Sequence, residues 1–326
     1  RGVPMTVRAG LATVPERSLR SLLLTLSHRR WLGRLATRTS LSRPIVRRFV
    51  AGERLDEALG TLERLSASGM RTTVDVLGES VSSPELANRA ADRYLETLGA
   101  LARRGLDRNV SLKLSQMGLA ISTDVCVANI ERIVARAAEL DAFVRIDMED
   151  HTTVDATLDV WRAARALHPH VGIVLQAALR RSAADLDRLI AERAPIRLCK
   201  GAYKEPAAVA FPDKAEVDRN YAQLMERLIR EGESPAIATH DERLVARAIE
   251  VATREGIPAD RFEFQMLFGI RRDLQGRLVG DGYRVRVYVP YGSEWYPYFM
   301  RRLAERPANV AFILRSLLSE ARRGST

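Results

Sequence analysis

From residue 53 onward the sequence repeats one alternation: a short strand-like run, then a longer run with apolar residues every three or four positions. Period two belongs to a two-faced strand and period 3.6 to an amphipathic helix. The strand-like runs fall at 72–77, 109–115, 143–149, 171–177, 196–202, 236–240, 262–267 and 283–290. Helical patterns fill 53–68, 84–104, 124–140, 154–167, 183–193, 213–231, 242–255 and 270–279, and two more follow at 295–305 and 307–322. Eight strands alternating with helices over about 250 residues predict an α/β fold, a (β/α)8 barrel of the TIM type. Extra N-terminal helices and a final helix capping the active site complete the expectation. An open doubly wound sheet is the alternative, but no GxGxxG follows the first strand. The expected division is an N-terminal basic helical segment over 1–52 and a barrel over 53–326.

The strands carry an unusual inner face. Ser111, Lys113 and Ser115 share one side of the second strand, and Arg145, Asp147 and Glu149 one side of the third. Gln176 ends the fourth, and Arg197 stands in the fifth. Glu263 and Gln265 pair on the seventh, and Arg284, Arg286 and Tyr288 on the eighth. The opposite faces are Leu, Val, Ile and Phe, so in a barrel the polar set points into the lumen. Charges there are costly unless they meet one another or a ligand. The run Ile196-Arg197-Leu198-Cys199-Lys200-Gly201-Ala202-Tyr203 shows this most sharply, because a guanidinium inside a strand requires a partner.

Charge and composition exclude several classes. The net charge of +10 comes mostly from arginines interleaved with Asp and Glu, the pattern of a solvated surface rather than of a nucleic-acid footprint. No apolar run reaches the roughly 20 residues that span a bilayer. Two cysteines, Cys126 and Cys199, are too few for a disulfide framework or a zinc site, and read as reduced core thiols of a cytoplasmic protein. The stretch 18–50 differs: leucines alternate with arginines and no carboxylate interrupts them. It fits either a helix lying on an anionic membrane surface, at the inner face, or one packed against the barrel.

Barrel sites lie at the carboxyl ends of the strands. Lys113, Asp147, Glu149, Gln176, Lys200, Thr239, His240, Gln265 and Tyr288 stand there. A metal hydrolase is disfavoured, because the one His-x-His, His168-Pro169-His170, precedes its strand. A Schiff-base aldolase using Lys113 or Lys200 remains open, as does a polyanion-binding protein. On the helix over 295–305, Tyr298, Arg301, Arg302 and Glu305 fall on one face. Two adjacent guanidiniums suit a small carboxylate; a surface Arg301–Glu305 pair explains them equally well.

Seven ordered motifs make the chain recognisable: Ser111-Leu112-Lys113-Leu114-Ser115, Arg145-Ile146-Asp147-Met148-Glu149, Val174-Leu175-Gln176-Ala177, Arg197 through Tyr203, Ala238-Thr239-His240, Phe262-Glu263-Phe264-Gln265-Met266-Leu267, and Tyr298 through Glu305. With these the chain resembles the proline dehydrogenase family, both the single-function bacterial enzymes and the matching domain of the bifunctional proline utilization A proteins. The resemblance implies oxidation of L-proline by FAD, with hydride transfer to flavin N5. It implies that Arg197 lies beside N5 and that Gln176 bonds the isoalloxazine. Met148, Lys200, Gly201, Ala202, Tyr203, Thr239 and His240 would line the cofactor, and Glu305 would join the last helix to it. On the substrate side it implies Arg301 and Arg302 as a carboxylate clamp, Lys113 and Asp147 as an ion pair, and Leu267, Tyr288 and Tyr298 as walls. Asp147 and Arg197 would be the catalytic pair. The family's electron acceptor is a membrane quinone, and a separate pyrroline-5-carboxylate dehydrogenase is expected to act downstream. Neither metal nor nucleic acid is implied.

Overall fold

The computed structural model describes residues 46–78 and 81–305, except for the side chains of Arg301, Leu303, Ala304 and Glu305. The basic helix expected over 18–50, beyond its last turn, and the helix over 307–322 lie outside the described residues. Helix α1 (Leu55–Ala67) leads into β1 (Arg71–Val76), and α2 (Pro84–Arg103) into β2 (Asn109–Lys113). A single turn, α3 (Leu114–Met117), and α4 (Thr123–Glu139) precede β3 (Phe143–Asp147), and α5 (Val154–Leu167) precedes β4 (Val171–Gln176). Then come α6 (Ser182–Ala191), β5 (Pro195–Cys199), α7 (Lys214–Glu231), β6 (Glu233–Ala238), α8 (Glu242–Arg254), β7 (Glu263–Leu267), α9 (Arg272–Gly280), β8 (Arg284–Tyr291) and α10 (Trp295–Glu305).

All eight strands run parallel and close in sequence order, β1 pairing with β8. Closure follows from burial on both sides. Outward residues such as Leu112, Ile146, Ile173, Leu198, Ile237, Phe264 and Val287 are buried beneath the helices. Local signals start several of those helices: Ser83 accepts from the Leu86 amide ahead of Pro84, and Asp241 accepts from the Arg243 amide. Outside the barrel, arginines tie each of several helices to its neighbour, as in Arg132–Asp92, Arg227–Asp187 and Arg247–Glu226.

Register puts Thr73, Asp75, Ser111, Lys113, Arg145, Asp147, Arg197, Glu263, Gln265, Arg286 and Tyr288 on the inner face. Several expected strands stop early, most clearly β2, β3, β5 and β6, the last at Ala238. β2 ends at Lys113 because the chain winds into the α3 turn, β3 ends at Asp147, and β5 ends at Cys199 just before Gly201, whose φ is +109°. Glu149 therefore leaves the strand and instead takes the Ser115 amide and hydroxyl at 2.9 and 2.6 Å. Arg284 sits at the amino rim, half exposed beside Asp260 at 3.4 Å, rather than in the lumen.

The segment before α1 packs onto the last helix. Phe49, Val50, Trp295, Tyr298, Phe299 and Met300 form one buried cluster, with Leu267 against it. The Trp295 Nε1 donates to Glu53 at 2.9 Å, and the Ala51 amide donates to the Pro290 carbonyl at 2.9 Å.

Candidate active site

At the carboxyl mouth of the barrel, strands β1, β2, β3, β5, β7 and β8 converge on one charged group. Arg197, 6% exposed, is held on three sides. Its Nη1 donates to Asp147 Oδ1 at 2.8 Å, its Nη2 to Ser111 Oγ at 2.9 Å, and its Nε to Gln265 Oε1 at 2.5 Å. The other Asp147 oxygen accepts from the Tyr288 hydroxyl at 2.8 Å and from Lys113 Nζ at 3.2 Å. Lys113 also donates to Tyr288 at 3.1 Å and to Asp75 at 3.4 Å. Two cations thus face two carboxylates, with the Tyr288 ring 5.2 Å below the Arg197 guanidinium. Compensation of this kind is what keeps a charged lumen folded.

Position fixes the charge states. Burial pushes the Asp147 carboxyl up, but Lys113 and Arg197 more than offset it and hold it below the usual carboxylate range. At Asp75 burial prevails over Lys113, so its carboxyl is raised. Burial opposes the Lys113 charge, yet Asp75 and Asp147 raise its pKa above the ordinary lysine value. Burial and then the same two carboxylates keep Tyr288 a phenol, able to donate. Burial also pushes the Cys199 thiol up to about 11, which makes it a poor nucleophile.

These states bear on the alternatives. A Schiff-base lysine must lose its proton to attack a carbonyl, and Lys113 is stabilised in its protonated form. Lys200 sits between Asp218 at 2.5 Å and Asp241 at 3.2 Å. Among the described residues, no cluster of His, Cys, Asp and Glu is placed to hold a metal, and none of their helices is long and apolar enough to cross a membrane.

The rim beside Arg197 carries the other expected residues. Gln176, buried, donates to the Glu149 carbonyl at 2.7 Å. Gly201 lies against it: a Cβ there would stand 3.1 Å from Ala178 Cβ and 3.3 Å from Gln176 Oε1. Ala202 and Tyr203 are exposed, and Thr239 and Met148 are buried. His240 Nε2 accepts from the Leu267 amide at 2.9 Å, which leaves its ring proton on Nδ1. On α10, Arg302 lies over the Tyr298 ring at 5.2 Å. The side chains of Arg301 and Glu305 lie outside the described residues. Surface cavities of about 490 and 520 Å³ occur elsewhere, and neither includes Arg197, Lys113 or Asp147.

Asp75 and Ser111 belong to the site, although the sequence reading did not propose them for it. The signal for Asp75 was present, since it is the one carboxylate in a strand of Thr and Val and shares a face with Thr73.

A closed barrel whose mouth sets an immobilised guanidinium among a lysine and two buried carboxylates defines a barrel enzyme acting on a small polar molecule. The family model described as proline dehydrogenase matches residues 58–315. The chain belongs to the proline dehydrogenase family. It is 41% identical over 302 residues to proline dehydrogenase 1 of Bacillus subtilis, covering 93% of this chain and 100% of that one. To the proline dehydrogenase of Deinococcus radiodurans it is 42% identical over 304 residues, covering 92% and 97%. Among solved structures it is similar to proline utilization A from Bdellovibrio bacteriovorus inactivated by N-propargylglycine, with a TM-score of 0.75 and 28% identity. That match covers 80% of this chain and 32% of that one, so this chain spans about a third of its length.

Proposed function

We propose that the protein oxidises L-proline to 1-pyrroline-5-carboxylate with FAD as its cofactor, a membrane quinone as the onward acceptor and a separate dehydrogenase for the product. Family membership makes it a proline-oxidising oxidoreductase; the cofactor, the acceptor and the residue roles are the proposal. The observation that carries it is Arg197, fixed by Asp147, Ser111 and Gln265 at the mouth of the lumen.

The residues present fit a flavin nucleotide. Gly201 has a positive φ and leaves open a cradle that a Cβ would close. Beside it stand the Gln176 amide and the exposed Ala202 and Tyr203, and Thr239 and His240 follow the carboxyl end of β6, which suits the edges of an isoalloxazine and its ribityl chain. Lys200 suits the pyrophosphate, which would compete for it with Asp218 and Asp241. When bound, FAD supplies the two-electron acceptor, taking the hydride at N5. Arg197 supplies positive charge where negative charge develops.

On the substrate side, Arg301 and Arg302 bind the carboxylate in this reading, Lys113 keeps Asp147 in place, and Leu267, Tyr288 and Tyr298 restrict the ring and exclude water. Asp147, ionised and already accepting three hydrogen bonds, orients cations more readily than it takes a proton. Proton loss from the amine therefore proceeds to solvent or indirectly through the Asp147 network. The test is an absorbance spectrum of the purified full chain. The yellow bands of oxidised flavin, bleached by proline under anaerobic conditions, are expected, and a colourless protein would sink the cofactor assignment.

Gly201→Ala is expected to cost about 1–3 kcal/mol, through backbone strain and the contact with Gln176. It should also lower the flavin bound per chain. Thermal unfolding and the ratio of flavin to protein absorbance measure the two effects separately.

A further inference from the structure

Gln265 and Glu263 stand two residues apart on the inner face of β7. Gln265 is 3% exposed. Its Oε1 accepts from Arg197, while its Nε2 donates to Glu263 Oε1 at 2.5 Å. Glu263 is held from below by Arg286, whose Nε lies 2.8 and 3.1 Å from its two oxygens. Arg286 is anchored in turn on the Thr72 carbonyl at 2.7 Å and on Asp107 at 2.5 Å. A primary amide has one donating end and one accepting end, whereas an ionised carboxylate only accepts. Glu263 and Arg197 therefore require the same orientation of Gln265, oxygen toward the guanidinium and nitrogen toward the carboxylate.

We propose that Gln265, oriented by Glu263, is the positioning residue for Arg197, fixing the guanidinium at the mouth while leaving its charge largely uncancelled. Of the five N–H groups of a guanidinium, the three placed by this network go to one amide, one hydroxyl and one carboxylate, and that carboxylate is shared with Lys113 and Tyr288. A glutamate at 265 would keep an acceptor for Arg197, but it has no N–H for Glu263 and would set a second carboxylate against it, which disturbs the geometry. A glutamine fixes it with a neutral acceptor. The column from Asp107 through Arg286, Glu263 and Gln265 thus spans the barrel from floor to mouth and ends on one functional group.

This inference rests on the reading that Arg197 faces the flavin. Its test uses the full-length holoenzyme and two variants, Gln265→Met, which removes the acceptor at similar length, and Gln265→Glu, which keeps the acceptor but replaces the donor to Glu263 with a second carboxylate. Both are expected to shift the two-electron equilibrium of the bound flavin about tenfold toward the oxidised form, a fall of about 30 mV in midpoint potential. They should lower kcat by about tenfold and leave the KM for proline nearly unchanged. A residue that only fills space would lower the melting temperature and leave the potential where it was. Folded, yellow variants with wild-type potential and kcat overturn the inference alone. If Gln265→Glu fails to fold, the Met variant decides. A colourless wild-type protein overturns the cofactor reading, and this inference with it.

Discussion

Replacing Arg197 by methionine is expected to lower proline turnover by about 10²–10³-fold, the loss seen when a preorganised electrostatic donor is removed from a catalytic site. The side chain is nearly as long, so the lumen stays filled, but every polar contact goes. Asp147 keeps only Lys113 and Tyr288, and Ser111 and Gln265 lose their cation. Arg197→Lys recovers part of the loss at most. An ammonium carries the charge but lacks the planar fork that reaches a carboxylate, a hydroxyl and an amide in three directions. Steady-state assays with an artificial electron acceptor check both variants, and turnover within tenfold of wild type for the methionine variant would remove Arg197 from the mechanism.

Asp147→Asn is the second large effect, here on stability as well as turnover. The variant leaves Arg197 buried without its carboxylate and Lys113 with Asp75 alone, and breaking a buried pair costs about 3–5 kcal/mol. The sign of the pH dependence follows from the direction of the shift. A carboxyl held below its unfolded value near 3.9 contributes stability that is complete above about pH 4 and disappears as the pH falls through the folded value. Asp75, shifted upward, acts oppositely: its contribution is present below the unfolded value and is lost as the pH rises through the raised folded value. Denaturant unfolding across acid pH should therefore show the gap between wild type and Asp147→Asn narrowing as the solution becomes more acidic. A gap that stays constant to the lowest pH would mean that the native carboxylate is not stabilised by its neighbours.

The barrel was legible because alternation survives in every strand: Leu112 and Leu114 against Ser111 and Lys113, Val144 and Ile146 against Arg145 and Asp147. The lumen charges were legible for the same reason. What pattern did not show is where a strand stops. Leu114 continues the strand period perfectly well, yet the chain turns helical there to bring Ser115 to Glu149. Arg145 escaped any account by pattern, since its partners are the Ile173 and Pro195 carbonyls and a Phe143 ring 4.7 Å away, none of them a charge. Gly172 makes that possible, for a Cβ there would come within 2.5 Å of the Arg145 guanidinium. Asp75 was passed over although it is the one carboxylate of its strand, because its nearest face-mate is a threonine, Thr73, rather than another charge. The role of Gln265 was beyond sequence altogether, because it depends on which end of an amide faces up.

The packing of residues 46–53 on α10 bears on any attempt to trim the protein to a minimal barrel. A chain begun at α1 would retain every strand and each lumen charge, yet it would lose Phe49 from beside Phe299 and Glu53 from the Trp295 indole. The helix bearing Tyr298 and Arg302 would then keep Leu77, Leu267 and Ile270 beside it but lose the packing that residues 46–53 supply. In this architecture the residues least like a catalytic domain brace the helix that follows its last strand.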